Sequence, residues 1–437
     1  MPAGVNSLRE IARHIFTTAL AEASIARAFE RHVHYERGVL RVVDDLYDIP
    51  SPADALVVAF GKAAHTMAAE LGARMGSGLR GVISAPPGPG PRLAGFQYFR
   101  GGHPAPNRDS MEAAQAMLRE LRAQARRRGP VIFLISGGGS SLVEKPLDSS
   151  ISLEDLKACY QALVNCGAPI AEINAVRKHL SSVKGGRMAQ AAAGTQQVSI
   201  MVSDVPDNAL DALASGPTMP DSSTVEQCFE IAARYGLGPQ VPASLRSAFE
   251  QRSLVETPKA GDPAFARSRW WPVLSNKNAL EAAAAAAAAA GFAVEVDNSC
   301  DDWDYARAAD YLLERLRKLR QGVSRVCLLS GGEVTVRLRN GGAGGRNQQF
   351  ALYCATRIAG EKIAVLSAGT DGIDGNSPAA GAIADGTTLE RAREAGFDAS
   401  RSLASFDAFP LFQKTGDAIV TGPSGNNVRD LRVLLAE

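Results

Sequence analysis

Apolar residues follow two rhythms along this chain. Leu8, Ile11, Ala12, Ile15, Phe16 and Ala19 recur at helical spacing and predict one face of an amphipathic helix. Unbroken apolar runs of strand length stand at 55–61 and 131–135, a pattern suited to strands buried on both faces of a parallel sheet. The first run ends in Gly61, and Lys62 opens an alanine-rich helical stretch reaching Met75. The second delivers Ser136-Gly137-Gly138-Gly139-Ser140-Ser141. Between them the spacing predicts a helix over 110–128, with Arg126, Arg127 and Arg128 at the end where cations complement the helix dipole. Further strands are predicted at 198–203, 272–275, 292–296, 325–330, 333–339 and 363–368, and another within 415–427. The nine alanines from Ala282 to Ala290 predict a helix joining the strands at 272–275 and 292–296 as a βαβ unit. Strands alternating with helices make this an α/β chain.

Proline and glycine punctuate 86–91 and 101–108, where His103 is read as a structural hydrogen-bonding group. Regular patterning breaks again over 250–268, and a boundary there gives domains 1–255 and 256–437. The length of 437 residues agrees with two cores.

Composition narrows the function classes. Apolar residues make up 46% and charged residues 21%, which fits a soluble enzyme, and a formal charge of +1 gives no global pull towards nucleic acid. The nine-alanine run is far shorter than the roughly 20 residues of a membrane span, and the N-terminus lacks a signal pattern, so a cytoplasmic protein is expected. Six cysteines without a CxxC pair read as reduced thiols.

Any anion must therefore be recognised locally. At 341–350 the sequence Gly-Gly-Ala-Gly-Gly-Arg-Asn-Gln-Gln-Phe frees backbone N–H groups to face a ligand, with Arg346 as a planar charged fork and Asn347 and Gln348 to orient it. The competing reading is an ordinary glycine-rich loop. Lys62 would stand at a strand's C-terminal end beside a helix start, the position where ligands collect in parallel α/β sheets; otherwise it is a surface lysine. Ser136 to Ser141 make a phosphate or carboxylate nest. Asn174, Arg177, Lys178 and Ser181 share a helical stripe, and Lys184 and Arg187 flank a glycine pair, a basic surface that suits an acidic small molecule. Asp204 ends a strand as a general base, a magnesium ligand or a turn cap. Asp371 and Asp374 form a carboxylate pair that would hold Mg2+ among waters and phosphate oxygens. Neither glycine loop is a GxGxxG fingerprint, since the third glycine would fall on Leu142 or Asn347, and Leu56 and Ala63 break a Walker A reading around Lys62.

Taken together, Gly61-Lys62-Ala63, Gly102-His103-Pro104, Ser136 to Ser141, Asn174 to Arg187, Ser203-Asp204-Val205, Ser215-Gly216-Pro217-Thr218, Gly344-Gly345-Arg346-Asn347-Gln348 and Gly369 to Gly375 resemble the glycerate 2-kinases of the MOFRL (DUF4147) type, often labelled hydroxypyruvate reductases. The resemblance covers nearly the whole chain. It departs at Ser424-Gly425-Asn426-Asn427, where the family usually has Thr-Gly-Thr-Asn.

The resemblance implies two Rossmann-like, three-layer α/β domains flanking a deep cleft. It implies transfer of the ATP γ-phosphoryl group to the 2-hydroxyl of D-glycerate with a divalent cation, and Lys62 and Arg346 as the cations that neutralise that group. Within this scheme Asp204 orients the substrate hydroxyl and Asp371 and Asp374 hold Mg2+. Ser136, Gly137, Gly138, Gly139, Ser140, Ser141, Asn174, Arg177, Lys178, Lys184, Gly344, Gly345 and Asn347 bind glycerate or nucleotide. The expected partners are glycerate and ATP, with a homodimer left open. The alternative is an NAD(P)H-dependent hydroxypyruvate reductase.

Overall fold

The computed structural model describes residues 7–86, 92–337 and 341–437, so the predicted turn at 86–91 lies, apart from Pro86, outside the described residues. Two compact units emerge: Ile25–Val273, and the described residues up to Ser24 together with Leu274–Glu437. The division therefore falls at 273/274 rather than 255/256, and the N-terminal helix joins the second unit.

The unit Ile25–Val273 is built on a six-stranded sheet in the order Phe96–Phe99, Arg80–Ser84, Leu56–Phe60, Val131–Ser136, Gln197–Val202, Ser268–Leu274. The first four pairings are parallel. Leu56–Phe60 lies between two parallel neighbours with every residue buried, which is why its sequence is apolar without alternation. The helix Arg108–Arg127 lies on this sheet through Ala113, Met117 and Leu121. Its first turn is fixed by Asn107, whose Oδ1 accepts from Ser110 N at 2.9 Å. Because the strands run parallel, the turns after Phe60, Ser136 and Val202 emerge on one edge of the sheet. A three-stranded antiparallel meander, Val33–Glu36, Val39–Val42 and Asp45–Asp48, was not apparent in the hydrophobic pattern; each strand has only four residues.

The other unit has a mixed sheet in the order Ala293–Val296, Val326–Gly332, Asp430–Ala436, Ile363–Gly369, Gly381–Asp385, Ala418–Ile419. Only its first pair is parallel. The helix Leu8–Glu22 buries Ala12, Ile15, Phe16 and Ala19, the predicted face, in a core with Ala283 and Ala287 of the helix Asn276–Ala289.

That second helix does not complete a βαβ unit. The strand before it belongs to the first sheet and the strand after it to the second, and the helix itself lies within the second unit. The strand predicted at 333–339 is replaced by a single bridge from Thr335 to Asp304 as far as the described residues extend, and the 415–427 strand shrinks to Ala418–Ile419. No helix among the described residues is long and apolar enough to cross a membrane.

Candidate active site

Along the C-terminal edge of the parallel sheet, two turns are locked together. Gly61 has φ +120°, and a Cβ there would lie 2.2 Å from Ser136 Oγ, so the close approach requires glycine. Ala63 N donates to Ser136 Oγ at 3.0 Å and Lys62 N to Gly137 O at 2.9 Å. Ser136 is thereby occupied in bracing the turns. A Cβ on Gly138 would meet His103 Cδ2 at 3.0 Å and Lys62 Cγ at 3.2 Å, and one on Gly137 would meet Asp204 Oδ2 at 1.9 Å. Lys62, His103 and Asp204 thus converge on the glycine turn.

The Lys62 side chain is exposed and has no hydrogen bond or ion pair among the described residues. It stands beside the start of the helix Ala64–Met75, which has no side-chain cap and no acid in its first turn. A cation there is electrostatically unfavourable until an anion arrives. Burial, reinforced by the Lys62 ammonium, lowers the proton affinity of His103.

The basic stripe resolves into different fates. Lys178 is neutralised by Asp211 at 3.2 Å and Asp221 at 3.1 Å. Lys184 is fully buried, paired with Glu144, and donates to Ser140 O at 2.7 Å. Arg187 donates to Val255 O at 2.9 Å. Ser181 donates to Glu144 at 2.6 Å. Neither Arg187 nor Arg177 forms an ion pair with a carboxylate among the described residues: Arg187 is held by backbone carbonyls, whereas the Arg177 guanidinium lies over the Tyr160 ring, 4.7 Å from the centroid, and the buried Nε of each has no hydrogen-bond partner there.

Arg177 and Lys184 line a pocket of about 180 Å³ with His103, Gly138, Ser140 and Ser141. Asn174 and Lys178 face a separate pocket of about 430 Å³ beside Asp211 and Asp221. The expected single basic surface is therefore corrected: Asn174 and Lys178, four apart on the helix Ile170–Leu180, face one pocket while Arg177 faces the other, and the charges of Lys178 and Lys184 are cancelled within the fold.

The glycine-arginine loop also departs from expectation. Ala343 N and Gly344 N donate to Asp407 Oδ1 at 2.8 Å and Asn376 Oδ1 at 2.9 Å, so these amides serve the loop and not a ligand. Asp374 is buried at the N-terminus of the helix Arg346–Arg357. It accepts from Asn347 N at 3.1 Å, Gln348 N at 2.9 Å, Gln348 Nε2 at 3.0 Å and Asn347 Nδ2 at 3.4 Å. Gly345 is needed because a Cβ would lie 2.3 Å from Asp374 Oδ1.

Asp374 is thus a helix cap supplied from a distant turn and Asn347 is part of the same buried network. The Asp371 and Asp374 pair does not fit a magnesium site, because both Asp374 oxygens already face N–H donors. No group of three metal-ligating side chains is found among the described residues.

Burial pushes the Asp374 carboxyl up to about 6, against the pull of those donors. The folded chain then holds this proton more readily than an unfolded one. Its contribution to stability is fully present below the ordinary carboxylate range and is lost as pH rises through about 6. Denaturant unfolding between about pH 4 and pH 7 should show this segment of the profile flattened in Asp374→Asn. Asp374→Ala should lower stability by about 2 kcal/mol through loss of the cap.

Arg346 is clamped. Its Nε and Nη2 donate to Asp430 at 2.6 and 3.0 Å, and Nη2 lies 2.8 Å from Glu333. Burial opposes its charge but the two carboxylates overcome this, so the guanidinium stays ionised. Burial raises the Glu333 carboxyl, and Arg346 pulls it back. Glu144, Tyr160, Glu333 and Asp430 carry no sequence signal, because their partners are distant in the chain.

Residues 11–250 match a family described as a domain of unknown function, DUF4147, and residues 326–430 match the MOFRL family. D-glycerate 2-kinase of Thermotoga maritima is 36% identical over 384 residues, covering 86% of this chain and 89% of that protein. Glycerate 2-kinase of Pyrococcus horikoshii is 33% identical, covering 98% and 97% respectively. A protein of Agrobacterium vitis that bears a hydroxypyruvate reductase name is 36% identical, covering 98% and 94%. The crystal structure of glycerate kinase from Thermotoga maritima matches with a TM-score of 0.84 at 31% identity, covering 98% of this chain and 99% of that one. The chain therefore belongs to the DUF4147 and MOFRL family that includes the glycerate 2-kinases.

Proposed function

We propose that this protein is an ATP-dependent glycerate 2-kinase, transferring the γ-phosphoryl group of ATP to the 2-hydroxyl of D-glycerate. The observation that carries the reading is the pair of cations, Lys62 and Arg177, that have no carboxylate partner among the described residues, beside a glycine turn where the neighbouring Lys184 is neutralised. Phosphoryl transfer needs positioning and charge stabilisation more than covalent chemistry, and cations awaiting an anion supply both.

The pocket of about 180 Å³ is below the roughly 300–1,000 Å³ of drug-sized sites, which suits a three-carbon acid and not a nucleotide. In this reading Lys62 neutralises the transferring group and Asp204, packed on Gly137, orients the attacking hydroxyl. Arg346 is the second phosphoryl-binding cation, assigned from the family resemblance and held in direction by Asp430. The nucleotide substrate is ATP complexed with a divalent cation. Six free thiols suit action in a reducing cytoplasm.

Phosphorus NMR after incubation with D-glycerate, ATP and magnesium should show 2-phosphoglycerate. Exclusive formation of 3-phosphoglycerate would overturn the regiochemistry. The hydroxypyruvate reductase name in Agrobacterium vitis supplies the second reading. Oxidation of NAD(P)H with hydroxypyruvate, with no phosphoglycerate from glycerate and ATP, would establish it in place of the kinase.

A further inference from the structure

Glu144 lies outside every motif in the sequence, yet it is the most heavily used side chain around the small pocket. It is fully buried and accepts from Tyr160 Oη at 2.7 Å, Ser181 Oγ at 2.6 Å, Lys145 N at 2.9 Å and the Lys184 ammonium. Two of these donors act on the pocket wall. Tyr160 carries Arg177 on its ring face, and Lys184 passes a hydrogen bond on to the Ser140 carbonyl. Glu144 also cancels the Lys184 charge, leaving Arg177 as the uncompensated positive group of the pocket.

We propose that Glu144 is a positioning residue which, through Tyr160 and Lys184, holds Arg177 flat and Ser140 fixed, so that Arg177 receives the carboxylate of a small 2-hydroxy acid. The inference deepens the kinase reading and rests on it for the identity of the acid. Physically, a guanidinium stacked on an aromatic ring keeps its edge free, and that edge matches a carboxylate in two parallel hydrogen bonds. An arginine without the platform would sample many rotamers and order only on binding. A carboxylate hub with four donors keeps the platform in one place, because each partner would otherwise be left buried and unsatisfied. The division of labour follows: Lys62 serves the phosphoryl group, and Arg177 serves the acid.

Three variants test this in the full-length protein. Arg177→Lys keeps the charge but loses the planar fork. Tyr160→Phe keeps the ring under Arg177 but cuts its link to Glu144. Tyr160→Leu removes the platform. Steady-state constants for D-glycerate and ATP are measured together with direct binding of D-glycerate by calorimetry without nucleotide.

Arg177→Lys and Tyr160→Leu should raise the glycerate KM by about tenfold or more, and Tyr160→Phe by a few-fold, with the ATP KM within about twofold and kcat little changed. An unchanged glycerate KM in Tyr160→Phe, with Tyr160→Leu impaired, would remove Glu144 from the device. Equal losses for glycerate and ATP would show a general structural role and overturn the proposal. If the unaltered protein binds D-glycerate but makes no phosphoglycerate, the kinase reading fails while loss of binding in Arg177→Lys still supports the pocket assignment. If it makes phosphoglycerate and all three variants keep the same glycerate KM, the kinase reading stands and the pocket assignment falls.

Discussion

Lys62→Ala is expected to lower kcat by roughly 10² or more while leaving thermal stability unchanged. The separation of the two effects follows from the structure. The Lys62 side chain is exposed and unpaired among the described residues, its backbone N–H keeps its bond to Gly137 O whatever the side chain, and its charge opposes the adjoining helix start. Nothing that holds the fold is removed. A second readout is independent of turnover: the Lys62 ammonium helps depress the proton affinity of His103, so the imidazole resonances of His103 should titrate at higher pH in the variant. Turnover near the unaltered rate would remove Lys62 from the chemistry, and an unmoved His103 titration would contradict the placement of its ammonium.

Arg346→Ala should do two things at once. With the phosphoryl-binding role proposed for Arg346, kcat should again fall by roughly 10². Stability should fall too, by about 3 kcal/mol, because Asp430 is buried and loses both of its guanidinium bonds. The double variant Arg346→Ala with Asp430→Ala separates these effects, since removing the stranded carboxylate should recover much of the stability and none of the activity. Denaturant midpoints and turnover numbers for the four proteins of the cycle check this. Recovery of activity in the double variant would mean that Arg346 only neutralises Asp430.

What could be read from the sequence was local. The runs at 55–61 and 131–135 appear as Leu56–Phe60 and Val131–Ser136, and the helix predicted over 110–128 as Arg108–Arg127, because parallel strands and amphipathic helices write their burial directly into the residue pattern. Lys62 and the Ser136 to Ser141 turn meet for the same reason, since both follow strands that are neighbours in one parallel sheet. The failures were of pairing. Lys178 looked like a free cation until Asp221, 43 residues away, folded onto it, and Arg346 until Asp430, 84 residues away, did the same. Asp374 looked like a metal ligand because a carboxylate in a glycine turn cannot announce which helix end it will cap. Arg177, one residue from Lys178 and similar to it in sequence terms, differs by the Tyr160 ring beneath it and by the absence, among the described residues, of the carboxylates that meet Lys178.

The strand Asp430–Ala436 is concealed in the sequence because Arg432 interrupts its apolar run. In the fold that arginine is fully buried, donating to Gly331 O at 2.9 Å and Gly332 O at 3.1 Å. The strand fills the middle of its sheet, between Val326–Gly332 and Ile363–Gly369, pairing with each over seven residues. The first residue of that strand is Asp430, which clamps Arg346. Insertion of this strand and orientation of the arginine are consequently one event in folding. A partly folded chain with the strand undocked has neither a continuous sheet nor an aimed guanidinium, so the orientation of Arg346 waits on the least local strand pairing of this sheet, the kind of contact that forms slowly.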